Sequence, residues 1–116
     1  MDKWNDIIDA LRAFGLTAVA PAYRTGICTS PYCVVQQCGG IRRNPKGGSA
    51  KYRVHVIVPA ADYRQLSHMS EEVRAALAPM VSRGELRELV TRSSTVVDDV
   101  FAAHSCYLEY ASEYTG

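Results

Sequence analysis

"YRVHVIVPAADYRQL" (residues 52–66) decides the fold. Tyr52, Val54, Val56 and Val58 alternate with Arg53, His55 and Ile57, the period-two pattern of a strand that buries one face. Pro59 ends the alternation, because proline has no N–H to give a sheet ladder. Beyond it, Tyr63, Leu66, Met69, Val73, Leu77 and Met80 are spaced by threes and fours, the apolar stripe of a helix. Asp62 is one candidate start for this helix, and Ser70 followed by Glu71 and Glu72 is another. Pro79 predicts a kink or an end. A strand therefore runs directly into a helix, with no glycine-rich turn and no metal-ligand spacing between them. The unit reads as scaffold.

The neighbouring segments extend this pattern. Asp2 as N-cap, an apolar stripe of Trp4, Ile7, Ile8, Leu11 and Phe14, and Gly15 as a left-handed stop predict an amphipathic helix. "LTAVA" (16–20) reads as a short strand ending at Pro21, residues 21–31 as a loop, and "YCVVQQC" (32–38) as a β-branched strand. "GGIRRNPKGGSA" (39–50) is too long for a two-residue hairpin turn, so it reads as a protruding hairpin arm or a disordered loop. "KYRVHVIV" (51–58) is the return strand. "GELRELV" (84–90) fits a turn of helix or a strand, and "SSTVVDDVFAAH" (93–104) is ambiguous. In "HSCYLEYASEY" (104–114), His104, Cys106, Leu108 and Tyr110 alternate with Ser105, Tyr107 and Glu109, as in a half-buried final strand. The expected fold class is α+β, a single mostly antiparallel sheet with two helices packed on one face and a long protruding β-hairpin arm at 39–51. Residues 1–116 form one domain, with Trp4, Ile8, Leu11, Val56, Val73 and Leu77 in its core.

The composition is that of a globular domain, with 47% hydrophobic and 22% charged residues. No apolar run approaches the length of a membrane span, so none is expected. The opening "MDKWNDIIDALRAFG" is acidic and amphipathic, unlike a signal peptide. Disulfides are accordingly not expected among the four cysteines. The net charge of +1 hides an uneven distribution. Residues 1–61 carry eight basic and three acidic side chains, a net of +5, and residues 62–116 carry five and nine, a net of −4. This is either scatter within a small protein or a molecule with opposite charges on two surfaces, suited to head-to-tail pairing.

Chemistry finds little support. Cys28, Cys33 and Cys38 are spaced C-x4-C-x4-C, with Cys106 far away. Zinc sites favour pairs on knuckle turns, whereas Cys33 and Cys38 bracket a strand and their odd offset sets them on opposite faces. Reduced thiols acting as small apolar groups are the simpler reading. Cys106 or Cys38 could meet His55, His68 or His104, with Asp98 or Asp99 as orienter, but no nucleophile lies in an elbow or helix-start context. The segment around Arg42, Arg43, Lys46 and Lys51 lacks the P-loop ending. Those cations fit nucleic-acid backbone, an acidic protein partner or plain solvation. No enzyme activity, metal or cofactor is expected.

The "PYCVV" strand opening a long hairpin, the "YRVHVIVPAADYRQL" strand running into an "EEVRAALAPM" helix, and the terminal "LEY" strand together resemble the small phage tail-terminator, or tail-completion, proteins. The resemblance is one of element order and size, and it covers most of the chain. It implies a homo-hexameric ring at the head-proximal end of a phage tail that stops tube polymerisation and joins tail to head. Its implied partners are further copies of itself, the tail tube protein and a head-completion or neck protein, with DNA only passing through the lumen and no membrane. It implies a virion location, with assembly in the host cytoplasm. The candidate interface residues are Arg42, Arg43, Lys46 and Lys51 on the basic side, and Glu71, Glu72, Asp98 and Asp99 on the acidic side. Two alternatives stand beside this reading: another phage head–tail connector or neck protein, and a small cytosolic nucleic-acid-binding module that uses the basic 39–51 segment.

Overall fold

Alternation and helical spacing become α1 (Trp4–Ala13), β1 (Ala18–Val19), β2 (Tyr32–Asn44), β3 (Gly47–Pro59), α2 (Gln65–Ser82), β4 (Arg87–Val90), β5 (Val96–Asp98) and β6 (Ala103–Thr115). The computed structural model describes residues 3–19, 31–44, 47–98 and 102–115, with backbone alone at 38–44, 47–49, 98 and 113–115. The expected cap Asp2, the loop at 21–30 with Cys28, and Lys46 and Asp99 lie outside the described residues. The six strands form one mixed sheet in the order β1-β2-β3-β6-β4, with β5 also paired to β6. β1 runs parallel to β2 through Ala18↔Cys33 and Val19↔Val34. A parallel pair needs a connection of about a dozen residues, and twelve lie between Val19 and Tyr32. The other pairings are antiparallel.

Both helices cover one face of this sheet. Cys33 and Val35 of β2, Tyr52, Val54, Val56 and Val58 of β3, and Cys106, Leu108 and Tyr110 of β6 form one buried cluster with Ile7, Ile8 and Leu11 of α1 and Leu66, Met69, Val73, Leu77 and Met80 of α2. Each such large apolar side chain contributes about 1.5–3 kcal/mol when taken out of water. Ile8, Leu11, Val56, Val73 and Leu77 are buried as expected. Trp4 is only partly buried at the edge of the cluster, where its indole N–H donates to the Val35 carbonyl at 2.8 Å. Ser70 is a buried polar residue inside α2, not its start. Its hydroxyl donates to the Leu66 carbonyl at 2.8 Å and lies 3.3 Å from Cys106 Sγ, so its burial leaves no orphan.

The helix ends follow local chemistry. At α1, Gly15 has φ +98°, and the N–H groups of Gly15 and Leu16 return to the carbonyls of Arg12 and Leu11. Gly84 repeats this arrangement after α2, at φ +79°, with Gly84 and Glu85 bonded to Val81 and Met80. This paired closure satisfies the last helical carbonyls and calls for a residue without Cβ. Asp62 closes a single 3-10 turn over Ala60–Asp62 and does not cap α2. Pro79 lies in the last turn, and the helix stops three residues later. Among the described residues no helix is long and apolar enough to cross a membrane.

Within the segment 39–51, residues 39–44 and 47–51 are strand. β2 and β3 stay paired as far as Asn44↔Gly47, and β6 runs beside β3 to Gly47↔Thr115. Its backbone is thus a three-stranded continuation of the sheet. Between Gln37↔Tyr52 and Gly39↔Lys51, Cys38 is an extra residue on β2. Such a bulge shifts the alternation by one, so the spacing of Cys33 and Cys38 no longer assigns them to opposite faces.

Candidate functional site

The candidate interface residues fall on three parts of the molecule. Arg42 and Arg43 lie near the end of β2, where the backbone alone is described. Lys51 is exposed in β3, with Gly39 and Ala111 as its cross-strand neighbours. Glu71 and Glu72 lie on α2, and Asp98 ends β5 opposite Ala103. Of these residues only Lys51, Glu71 and Glu72 have described side chains, and no ion pair joins Lys51 to either glutamate. The α2 acids have partners nearby instead. Glu71 lies 3.6 Å from Arg74, and Glu72 lies 2.6 Å from His68. Arg74 also reaches Glu88 at 3.5 Å, and Glu85 is held by Lys3 at 3.3 Å and by Arg83. The Arg83 hydrogen bond, with Lys3 behind it, holds the Glu85 carboxyl below its usual range. Arg74 and Arg83 already count in the net of −4, so of these pairs only Lys3–Glu85 sets a cation of the first half against an acid of the second.

The helix-free face of the sheet carries a second polar group of side chains. Arg53 pairs with Glu109 at 3.2 Å and stacks its guanidinium 4.5 Å from the Tyr107 ring centroid. His55 lies 5.8 Å from the same ring, centroid to centroid, and shares a 2.9 Å hydrogen bond with Gln36. Residues directly opposite on antiparallel strands, and their diagonal neighbours on the same face, meet in this way. The register Gln36↔Arg53↔Glu109 and Val34↔His55↔Tyr107 makes these contacts consecutive rows. They tie three strands together.

Among the described side chains, which exclude those of Cys38, Asp98 and Asp99, the nucleophile candidates do not converge. Cys106 Sγ meets Ser70 under α2. His55 is on the other face with Gln36, His68 pairs with Glu72 on α2, and His104 packs 5.9 Å from Tyr63. Cys33 and Cys106 are both free and buried, and Val56 of β3 stands between them in the register. Burial first, then the neighbouring Cys106 and Glu72, push the Cys33 thiol up to about 12, the opposite of activation. Among the described residues no three His, Cys, Asp or Glu side chains come together in a metal-ligating group.

One exposed feature was not foreseen. Val96 and Val97, adjacent in β5, are 58% and 60% exposed. Successive strand residues point to opposite faces, so neither face of β5 is covered. The signal in sequence was "TVV" (95–97) between polar runs, too short to show a period.

No family model matches the chain, and no curated protein matches it. Its fold is similar to that of a solved chain from the virion of a native gene transfer agent particle. The likeness has a TM-score of 0.52 at 18% identity and covers 95% of this chain and 92% of that chain. Identity this low speaks for the fold. Coverage this complete on both sides means that the two chains share one architecture with little added to either.

Proposed function

We propose that this chain is a structural protein of a phage-like virion and, within it, a tail terminator. In this role copies form a hexameric ring at the head-proximal end of the tail, stop tube growth and present a surface to the neck. The observation that carries the reading is the near end-to-end fold likeness to a chain of the gene transfer agent virion. The order of elements, which resembles the tail-terminator pattern, supports the finer role. A sheet whose helix-covered face is packed and whose side-chain contacts are structural fits a protein that works through its surfaces. The strand pair around 39–51, with Arg42, Arg43, Lys46 and Lys51, is assigned to the contact with a neighbouring subunit or with an acidic tube or neck protein.

Electron microscopy of assembled particles tests this directly. The chain should occupy a ring where the tail meets the head, and particles assembled without it should carry tails of uncontrolled length. Density for the chain in the tube wall or the capsid shell, or its absence from the particle, overturns the terminator role. Density between head and terminator moves the chain to the neck and retains the virion assignment.

A further inference from the structure

A groove of about 370 Å³ opens where α2 begins, beside β5. Tyr63, Arg64 and Ser67 line it from the start of the helix, and Arg92, Thr95 and His104 from the sheet side. Arg64, Arg92 and His104 bring basic groups to its lining, which contains no carboxylate, while Asp62 and Asp98 stand nearby in the chain. Arg53, Arg74 and Arg83 each hold a carboxylate within the chain, whereas Arg64 and Arg92 hold none among the described residues. α2 has no acidic residue in its first turn and no side-chain cap, so the partial positive charge of the helix start adds to that of the arginines. Arg92 donates one N–H to Ser67 Oγ. This contact fixes the guanidinium between the β4–β5 connection and α2 and leaves its other N–H groups available.

Among the described residues, the strand beside the groove has a pairing partner on one edge only. β5 pairs with β6 through Val96↔Ser105, Val97↔His104 and Asp98↔Ala103, and no described strand lies beyond it. Val97 stands opposite His104 and therefore on the groove side of the sheet. An exposed edge with uncovered valines is a template for a further strand. A strand added there would direct alternate side chains toward the groove.

We propose that this edge receives an extended acidic segment of a partner protein, which adds to β5 as a strand and places a carboxylate between Arg64 and Arg92. Backbone hydrogen bonds to β5 would provide the register, Val97 and Tyr63 the apolar contact, and the two arginines the choice of an acid over a neutral or basic side chain. A second copy of this chain is the less favoured occupant, because four of its glutamates, Glu71, Glu72, Glu85 and Glu88, already have intrachain partners. The proposal does not depend on the tail-terminator role, which microscopy decides separately.

The test is a nuclear magnetic resonance titration of the full chain with a short blocked peptide that alternates Thr and Val around one Glu. The amides of Val96, Val97 and Asp98 and the side chains of Arg64 and Arg92 should shift together, and added salt should weaken binding. Replacing the peptide Glu by Gln, or making Arg92→Gln in the protein, should weaken binding by about tenfold or more, the effect of one charge-assisted hydrogen bond. Arg92 is exposed, so the variant spectrum should otherwise match the parent. Equal affinity for the Glu and Gln peptides, shifts centred elsewhere, or no binding overturns the proposal. So do β5 amide shifts that appear on dilution of the protein alone, which would make the edge a contact between copies.

Discussion

At the scale of single residues, burial decides what each side chain can do. Leu77 is fully buried between α2 and the sheet. Leu77→Ala should lower unfolding free energy by about 2–5 kcal/mol in urea denaturation, the usual cost of such a cavity. An unchanged midpoint would mean that this helix face is not packed on the core. Cys33 makes a different point. Its thiol is pushed from 9.0 up to about 12, chiefly by burial, so the folded state favours the protonated form. The associated stability is intact below pH 9.0 and is lost as pH rises toward about 12. The buried Tyr110 hydroxyl, raised by burial, acts in the same direction. The denaturation midpoint should fall across that window, and Cys33→Val should flatten part of the fall. In the native protein at neutral pH, thiol labelling of Cys33 should be slower than that of an unfolded control by about three orders of magnitude, from loss of thiolate alone. Rapid native labelling would contradict the burial.

At the scale of elements, the strand–helix unit at 52–66 was legible because alternation and helical spacing are local patterns. The start of α2 was not, because Asp62 and Ser70 both look like caps in sequence, while the helix begins at Gln65 after a 3-10 turn, with Ser70 buried against Cys106. The segment 39–51 reads as arm or loop because glycines and an Asn-Pro step dominate it. Strand pairing on both sides of β3 overrides those preferences. Reversing Arg42 and Arg43 to Glu should leave the thermal stability of the isolated chain nearly unchanged. If this element makes the assembly contact, the double variant should reduce ring or tail assembly, most strongly at low salt, where repulsion is least screened. Single exposed pairs contribute only about 0–1 kcal/mol, so the defect should require both changes. Normal assembly at every salt concentration would remove the basic segment from the interface.

At the scale of the whole molecule, one buried cluster joins both helices to β2, β3 and β6. The chain should therefore unfold as one cooperative unit. Calorimetry should give a single transition with an enthalpy of about 80 kcal/mol, the usual specific value times the chain length, and agreement between calorimetric and van't Hoff values. Two resolved transitions would divide the domain. Ion pairs, three of them between residues two to four apart in the chain, engage several of the acids. The charge split along the chain suggested two opposed surfaces, but Glu71, Glu72, Glu85 and Glu88 fold against Arg74, His68, Arg83 and Lys3. The uncovered side of the molecule instead includes β5 and the arginines next to it.

The sequence by itself determined the elements and their inner faces, because hydrophobic alternation, helical spacing and Gly15 act between residues close in the chain. It determined the class, two helices over a largely antiparallel sheet, and much of the core. Tertiary structure alone decided that β1 pairs in parallel, that Cys38 forms a bulge, and that β4 and β5 share one edge of β6. These depend on which distant strands meet and in what register. Such choices are made by the packing of the whole core, and no local spacing records them.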